Sequence, residues 1–246
     1  VSAAEINRLR SAPCLPSSST PAVPIATIIG IGQGGLGLGD RDFYLKDDAK
    51  SQAIRDAYVK HVGNELVLSG WDDARARAAA TRIMALETSI AKLSRDRVAL
   101  RDPKLNYHKT DLAGVTAAAP GFAWDRYFAA RTLPATTAPI NLTNPDYARD
   151  VVALMNATPL DDLKAYLRWH ALNGFDQTLS QSFVDEQFAF SSVLSGAKQR
   201  EPLDRFCTQA VDQVLGEAVG AAFVAKKFSP AAKDRAKAMI AYLRSE

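Results

Sequence analysis

Between Asp47 and Leu93 apolar side chains recur at three- and four-residue spacing, once on each side of a glycine. Ile54, Tyr58, Val62 and Leu66 form one stripe; Ala79, Ile83, Leu86, Ile90 and Leu93 form the other. A period near 3.6 gathers each set on one face of a helix, whereas a strand would divide it between two faces. Gly70 ends the first pattern and Trp71-Asp72-Asp73 opens the second, so two helices joined by a tight turn are expected.

The second half repeats this in its caps. Asn144-Pro145-Asp146 places a capping side chain, then proline at the first helical position, then an acid facing the helix dipole. Thr158-Pro159-Leu160-Asp161-Asp162 does the same before LKAYLRWHALNGF, and Ser229-Pro230 before AAKDRAKAMIAYLRSE. QSFVDEQFAFSSVLSG and EPLDRFCTQAVDQVLGEAVGAAFV read as two further helices. Thr110 or Asp111 can cap a short helix ending before Pro120-Gly121, and FAWDRYFAAR is another amphipathic turn. Ile140 to Thr143 is expected as a strand. Near the start, Ser2 to Ala12 reads as a short helix and PCLPSSSTPAVP as loop or linker. The fold class predicted is mostly α, with a short β element near residues 25–33.

That β element leads into Gly30, Gly32 and Gly35, spelling G-x-G-x-x-G. The fingerprint binds a dinucleotide only if a helix N-terminus follows at the second glycine and faces the pyrophosphate. Here Gly37 and Gly39 come next, the first expected helix waits until Asp47, and no second strand ending in an acid follows. The reading favoured is a short strand running into a glycine-rich loop.

With 246 residues, 47% of them hydrophobic, the chain can bury a substantial core as one large or two small domains. The net charge of +3 is dispersed, with no Lys/Arg block of the kind that marks a nucleic-acid surface. No apolar run is long enough to cross a membrane. Cys14 and Cys207 are too few and too far apart for a disulfide framework or a cysteine-only zinc site, and Cys207, beside Phe206 in an apolar helical stretch, is expected as a buried, inert thiol. The N-terminus lacks the apolar region of a signal peptide and an initiator Met, and the last helix runs to the end without a stop signal. A piece of a longer protein is the expectation.

Residues that could carry chemistry do not converge. His61, His108 and His170 lie outside any H-E-x-x-H motif, and no G-x-S-x-G is present. His61 and Glu65, one turn apart, read as a surface hydrogen bond; His170 reads as a boundary residue and His108 as a loop residue. The acid pairs Asp72-Asp73 and Asp161-Asp162 start helices and answer the dipole. Phe183, Phe188 and Phe190 read as core, and Tyr166 and Trp169 as core or boundary. NLT at Asn141 and NAT at Asn156 fit the glycosylation sequon, a triplet that arises often by chance. The residues alone indicate a helical domain without a self-contained active site.

Four stretches, in order, resemble the N-terminal, non-catalytic region of the neprilysin-type zinc metallopeptidases, the family that includes the endothelin-converting enzymes, in its bacterial form. QGGLGLGDRDFYL is similar to that family's Q-x-x-L-x-L-P-x-R-x-Y-Y signature, which here falls on Gln33, Leu36, Leu38, Arg41 and Tyr44. RDPKLNYHKTDLAGVTAAAPGFAWDRYF, YLRWHALNGFDQTLSQSFVDEQFAF and FCTQAVDQVLGEAVGAAFVAKKFSPAAKDRAKAMI resemble three later blocks. Gly39 stands where the family usually has proline, implying a looser turn; Phe43 replaces a tyrosine and His108 an asparagine.

The resemblance implies a multi-helix lid over residues 25–246, preceded by a poorly matching helix and Pro/Ser-rich loop over 1–24. It implies that the glycine loop turns the chain from the strand into the Asp47 helix, with Arg41 and Tyr44 as anchors and Arg41 as a candidate for a buried or half-buried ion pair. The family's zinc motif and substrate clamp lie beyond the matched region, so no catalytic or metal residue carries over, no substrate-binding residue is assigned, and zinc is expected only in the full-length parent. The implied partners are the catalytic domain of the same protein and a peptide substrate, with no nucleic acid, and an extracytoplasmic bacterial location is the working expectation. The alternative is a stand-alone helical module that binds peptides or proteins without cutting them.

Overall fold

The structure, a computed structural model, describes residues 28–133 and 138–245. The expected helix over 2–12, the Pro/Ser-rich stretch, Cys14 and residues 25–27 of the predicted β element lie outside them. The chain divides into two compact units, one ending at Gly196 and the other beginning at Ala197.

The first unit runs β1 (Ile29–Ile31), α1 (Asp42–Leu45), α2 (Ala49–Leu68), α3 (Asp73–Leu93), β2 (Lys109–Thr110), α4 (Leu112–Ala118), α5 (Trp124–Ala130), β3 (Ile140–Leu142), α6 (Pro145–Ala157), α7 (Leu160–Phe175) and α8 (Gln181–Ser195). One 3-10 turn, Ala99–Arg101, follows α3, and another, Asp176–Thr178, links α7 to α8. The protein is mostly α, as the periodicity requires. Side-chain caps set several of the helix starts, but the device expected at Thr158-Pro159 does not form: Pro159 is the N-cap of α7, and the Thr158 hydroxyl bonds back to the Leu154 carbonyl. Asp48, Asp72, Asp111 and Asn144 each accept a hydrogen bond from the backbone N–H three residues on, and Pro145 sits in the first turn of α6. The one-turn helix α1 comes before the helix expected at Asp47, which begins after the Asp48 cap.

Two hydrophobic cores hold this unit. In the first, Ile54, Tyr58, Val62 and Leu66 of α2 meet Ala79, Ile83, Leu86 and Ile90 of α3, with Tyr166 and Trp169 of α7 buried among them. In the second, the sheet residues Ile29, Ile140 and Leu142 pack with Val115, Trp124 and Phe128 of α4 and α5. Helix α6 serves both, through Tyr147 and Val151 in the first and Ala148 and Val152 in the second. Burying each large apolar side chain contributes about 1.5–3 kcal/mol, so α6 couples two sizeable stores of stability. The sheet order is β1-β3-β2, with β1 parallel to β3 (Ile29 opposite Ile140, Ile31 opposite Leu142) and β2 antiparallel to it.

The second unit contains α9 (Leu203–Lys227), broken at Leu215 (φ −120°, ψ 20°), and α10 (Pro230–Ser245). Neither helix buries a residue. Cys207 is therefore exposed, correcting the expectation of a buried thiol. Its apolar neighbours mark a face that wants covering, but periodicity cannot tell whether the cover belongs to the same chain.

Candidate functional site

Four hydrogen-bond donors converge on one buried carboxylate. Glu87, in the middle of α3, is fully buried. The Tyr44 hydroxyl donates to its Oε2 at 2.6 Å and the Tyr58 hydroxyl at 2.8 Å; His170 Nε2 lies 3.0 Å from Oε1, and the Gly37 N–H points at Oε2 from 3.4 Å. A carboxylate offers only acceptors, so the imidazole carries its proton on Nε2. Burial, and then the charge of Glu87, push both tyrosine hydroxyls well above their ordinary range, so they stay protonated and remain donors. Trp169 Nε1 in turn donates to the Tyr58 hydroxyl at 2.8 Å.

This cluster is where the glycine loop is held. Tyr44 Oη accepts from Leu38 N–H at 2.9 Å, Tyr166 donates to the Gly35 carbonyl at 2.9 Å, and Tyr147 bonds both the N–H and the carbonyl of Gly34. A Cβ at Gly37 would come within 1.9 Å of the Tyr58 hydroxyl, so only glycine allows the loop this close. The loop amides of Gly34, Gly37 and Leu38 bond to protein groups, which leaves them no role in cradling a phosphate. Gly39 adopts φ +74°, a conformation proline cannot reach.

Each residue of the expected signature lies in or beside this arrangement. Gln33 exchanges two hydrogen bonds with the backbone of Arg95, at 2.9 and 2.8 Å. Leu36 packs against the first core and Leu38 is buried in it. Arg41 donates to the Ser94 carbonyl at 2.6 Å; among the described residues it has no ion pair, while its neighbour Asp40 pairs with Arg97. The charged contact expected at Arg41 thus forms one residue earlier. Glu87 itself gave no sequence signal, because its partners come from three distant segments. His170 is buried, not at the boundary, since it serves that carboxylate.

A second polar group sits where α2 meets α8. His61 Nδ1 lies 3.1 Å from Glu186 Oε1, and Asn64 donates to Glu186 Oε2 at 2.9 Å. His61 also stacks on Phe190, with ring centroids 4.6 Å apart. The surface pairing expected between His61 and Glu65 is absent, because both face inward and His61 turns to α8. Among the described residues neither oxygen of Glu65 has a hydrogen-bond partner. Burial, then the charges of Asp176 and Glu186, raise Glu65 to about 8. Burial raises Asp176 as well. Burial alone would raise Glu186 too, but His61 and Asn64 outweigh it and hold Glu186 below its ordinary value.

Neither group presents a nucleophile with a base. The Glu87 carboxylate is met by four donors and closed to solvent, an arrangement that positions backbone. Among the described residues no group of three or more His, Cys, Asp and Glu side chains is arranged to hold a metal ion. No helix among the described residues is long and apolar enough to cross a membrane.

Comparison with known proteins extends these findings. The N-terminal model of the family described as Peptidase family M13 matches residues 18–246. Endothelin-converting enzyme 1 of Rattus norvegicus is 29% identical over 220 residues, covering 87% of this chain and 29% of its own length. Neprilysin-3 of Drosophila melanogaster is 27% identical over 228 residues, covering 88% of this chain and 29% of its own length. The cryo-EM structure of Mycobacterium tuberculosis zinc metalloprotease Zmp1 in the open state superposes with a TM-score of 0.79 at 27% identity, over 89% of this chain and 34% of that one. PepO from Lactobacillus rhamnosis, at 18% identity and a TM-score of 0.76 over 87% of this chain and 34% of its own, shares the fold. The chain thus spans under a third of the length of these two relatives.

Proposed function

Because the chain belongs to peptidase family M13, as the N-terminal region of a neprilysin-like metallopeptidase, we propose that it is the substrate-enclosing lid of a zinc endopeptidase that cuts oligopeptides. In this reading the zinc ion, the water it activates and the residues that bind them come from a catalytic domain of the same protein. This region's work is to shape a chamber that peptides enter and folded proteins do not.

The observation that carries the reading is the distribution of exposed apolar side chains. Of the twenty-three large hydrophobic side chains that stand exposed among the described residues, twelve fall after Gly196, among them Leu203, Val214, Phe223 and Leu243 at 71%, 80%, 59% and 65% exposure. Faces of that kind mark surfaces made to be covered, whereas a stand-alone module is expected to present polar ones. An immunoblot of source cells with antibody raised to this chain tests it. A band more than twice the chain's 26.6 kDa is expected. A band at this size alone would replace the lid with a stand-alone peptide-binding module.

A further inference from the structure

Beyond the lid reading, and independent of it, the contact between α2 and α8 contains a carboxyl group with nothing to hold it charged. Glu65 is fully buried, and neither of its oxygens has a hydrogen-bond partner among the described residues. An ionised carboxylate in that position would lose its hydration without compensation, a cost that normally keeps such a group neutral. The groups around it do not relieve this. On its own helix, His61 is committed to Glu186, and Lys60 lies near the same carboxylate. From α3, Arg77 reaches Asn64 and Asp73. Asp176, in the turn after α7, and Glu186, on α8, both act on Glu65 with negative charge. Asp185, also on α8, takes a hydrogen bond from Gln181 at 2.6 Å. Of these carboxyl groups only Glu186 is bonded to the His61 imidazole.

We propose that Glu65 is a proton-operated latch: its neutral carboxyl lets α8 close on α2, and loss of its proton to solvent releases α8. The release has a direction built into the structure. The hydrogen bonds of Glu186 to His61 and Asn64 tie α8 to α2, and a negative Glu65 repels the Glu186 that makes that tie. Opening admits water to Glu65 and separates the two charges at once. Phe190 moves with α8, so its stacking on His61 is lost in the same event.

The sign follows from linkage. Closed, Glu65 holds its proton more tightly than when opened to water, so closure is favoured at low pH and weakens as pH rises, until the closed form also loses the proton. One proton released per opening raises the opening equilibrium close to tenfold per pH unit across that range. Amide hydrogen exchange of the whole chain, followed between pH 5 and 9 and corrected for base catalysis of exchange itself, reads it out. The expected result is a rise in opening over residues 181–195 approaching tenfold per unit below about pH 8 and levelling above it, with Glu65→Gln and Glu65→Met flat. A pH-independent α8 in the natural chain, or the natural slope surviving in either variant, overturns the latch. Should both variants fail to fold, carboxyl-carbon NMR of the natural chain decides: a Glu65 midpoint near 8 supports the proposal, and one in the ordinary glutamate range refutes it.

Discussion

Glu87 shows how one side chain can organise a loop it never touches in sequence. Replacing it by alanine leaves two buried hydroxyls and an imidazole without their acceptor. Glu87→Ala is therefore expected to lower stability by about 3–5 kcal/mol, the range for breaking a buried charged network, as read from urea unfolding. Gly37→Ala should act on the same network from the loop side. Its Cβ meets the Tyr58 hydroxyl, and an overpacking cost of about 1–3 kcal/mol is expected in the same assay, with little loss of helix content by circular dichroism. At this scale the sequence was least legible. Glu87 sits between Leu86 and Thr88 on an amphipathic helix and reads as the polar edge of the stripe; only the fold brings Tyr44, Tyr58 and His170 to it. Glu65 misleads in the same way, since one-turn spacing to His61 describes a common surface pair just as well. Tyr166 and Trp169 were legible, because bulky apolar residues on a helix stripe have few other destinations.

The helices were readable because their signals are local. Asn144-Pro145-Asp146 announces the start of α6, and the Asn144 side chain does accept from Tyr147 N–H. Asn144→Ala is expected to cost about 0.5–2 kcal/mol, while Asn144→Ser should retain most of the stability, judged by thermal unfolding of the two variants side by side. The elements that escaped prediction are short or depend on distant partners. Helix α1 is a single turn, below the length at which periodicity speaks. Strand β2 has two residues and exists only because β3 lies beside it. The break at Leu215 interrupts a stretch whose apolar spacing continues through it, so the pattern reads as one helix.

Over the whole molecule, burial is unevenly shared. Both hydrophobic cores lie before Gly196, and no residue of α9 or α10 is buried. Ending the chain after Gly196 should leave unfolding of the remainder within about 0.5 kcal/mol of the full chain, the range of surface changes, and should reduce concentration-dependent association in sedimentation. A large fall in stability on truncation would show that the second unit supports the first. The family was legible at this scale because four blocks keep their order along the chain, while the need for cover over the last two helices emerged only from their exposure. The pairing of β1 with β3 has a consequence for synthesis. Thr143 closes onto Ile31 across a sequence separation of 112. A ribosome must therefore deliver α1 through α5 before the first strand has anything to pair with, and until then Ile28 to Ile31 emerge as a bare apolar edge. Helices α2 and α3 can pack together as they appear, but the sheet waits for β3, so slow translation through residues 110–140 prolongs the interval in which a chaperone, or another nascent chain, can reach that edge first.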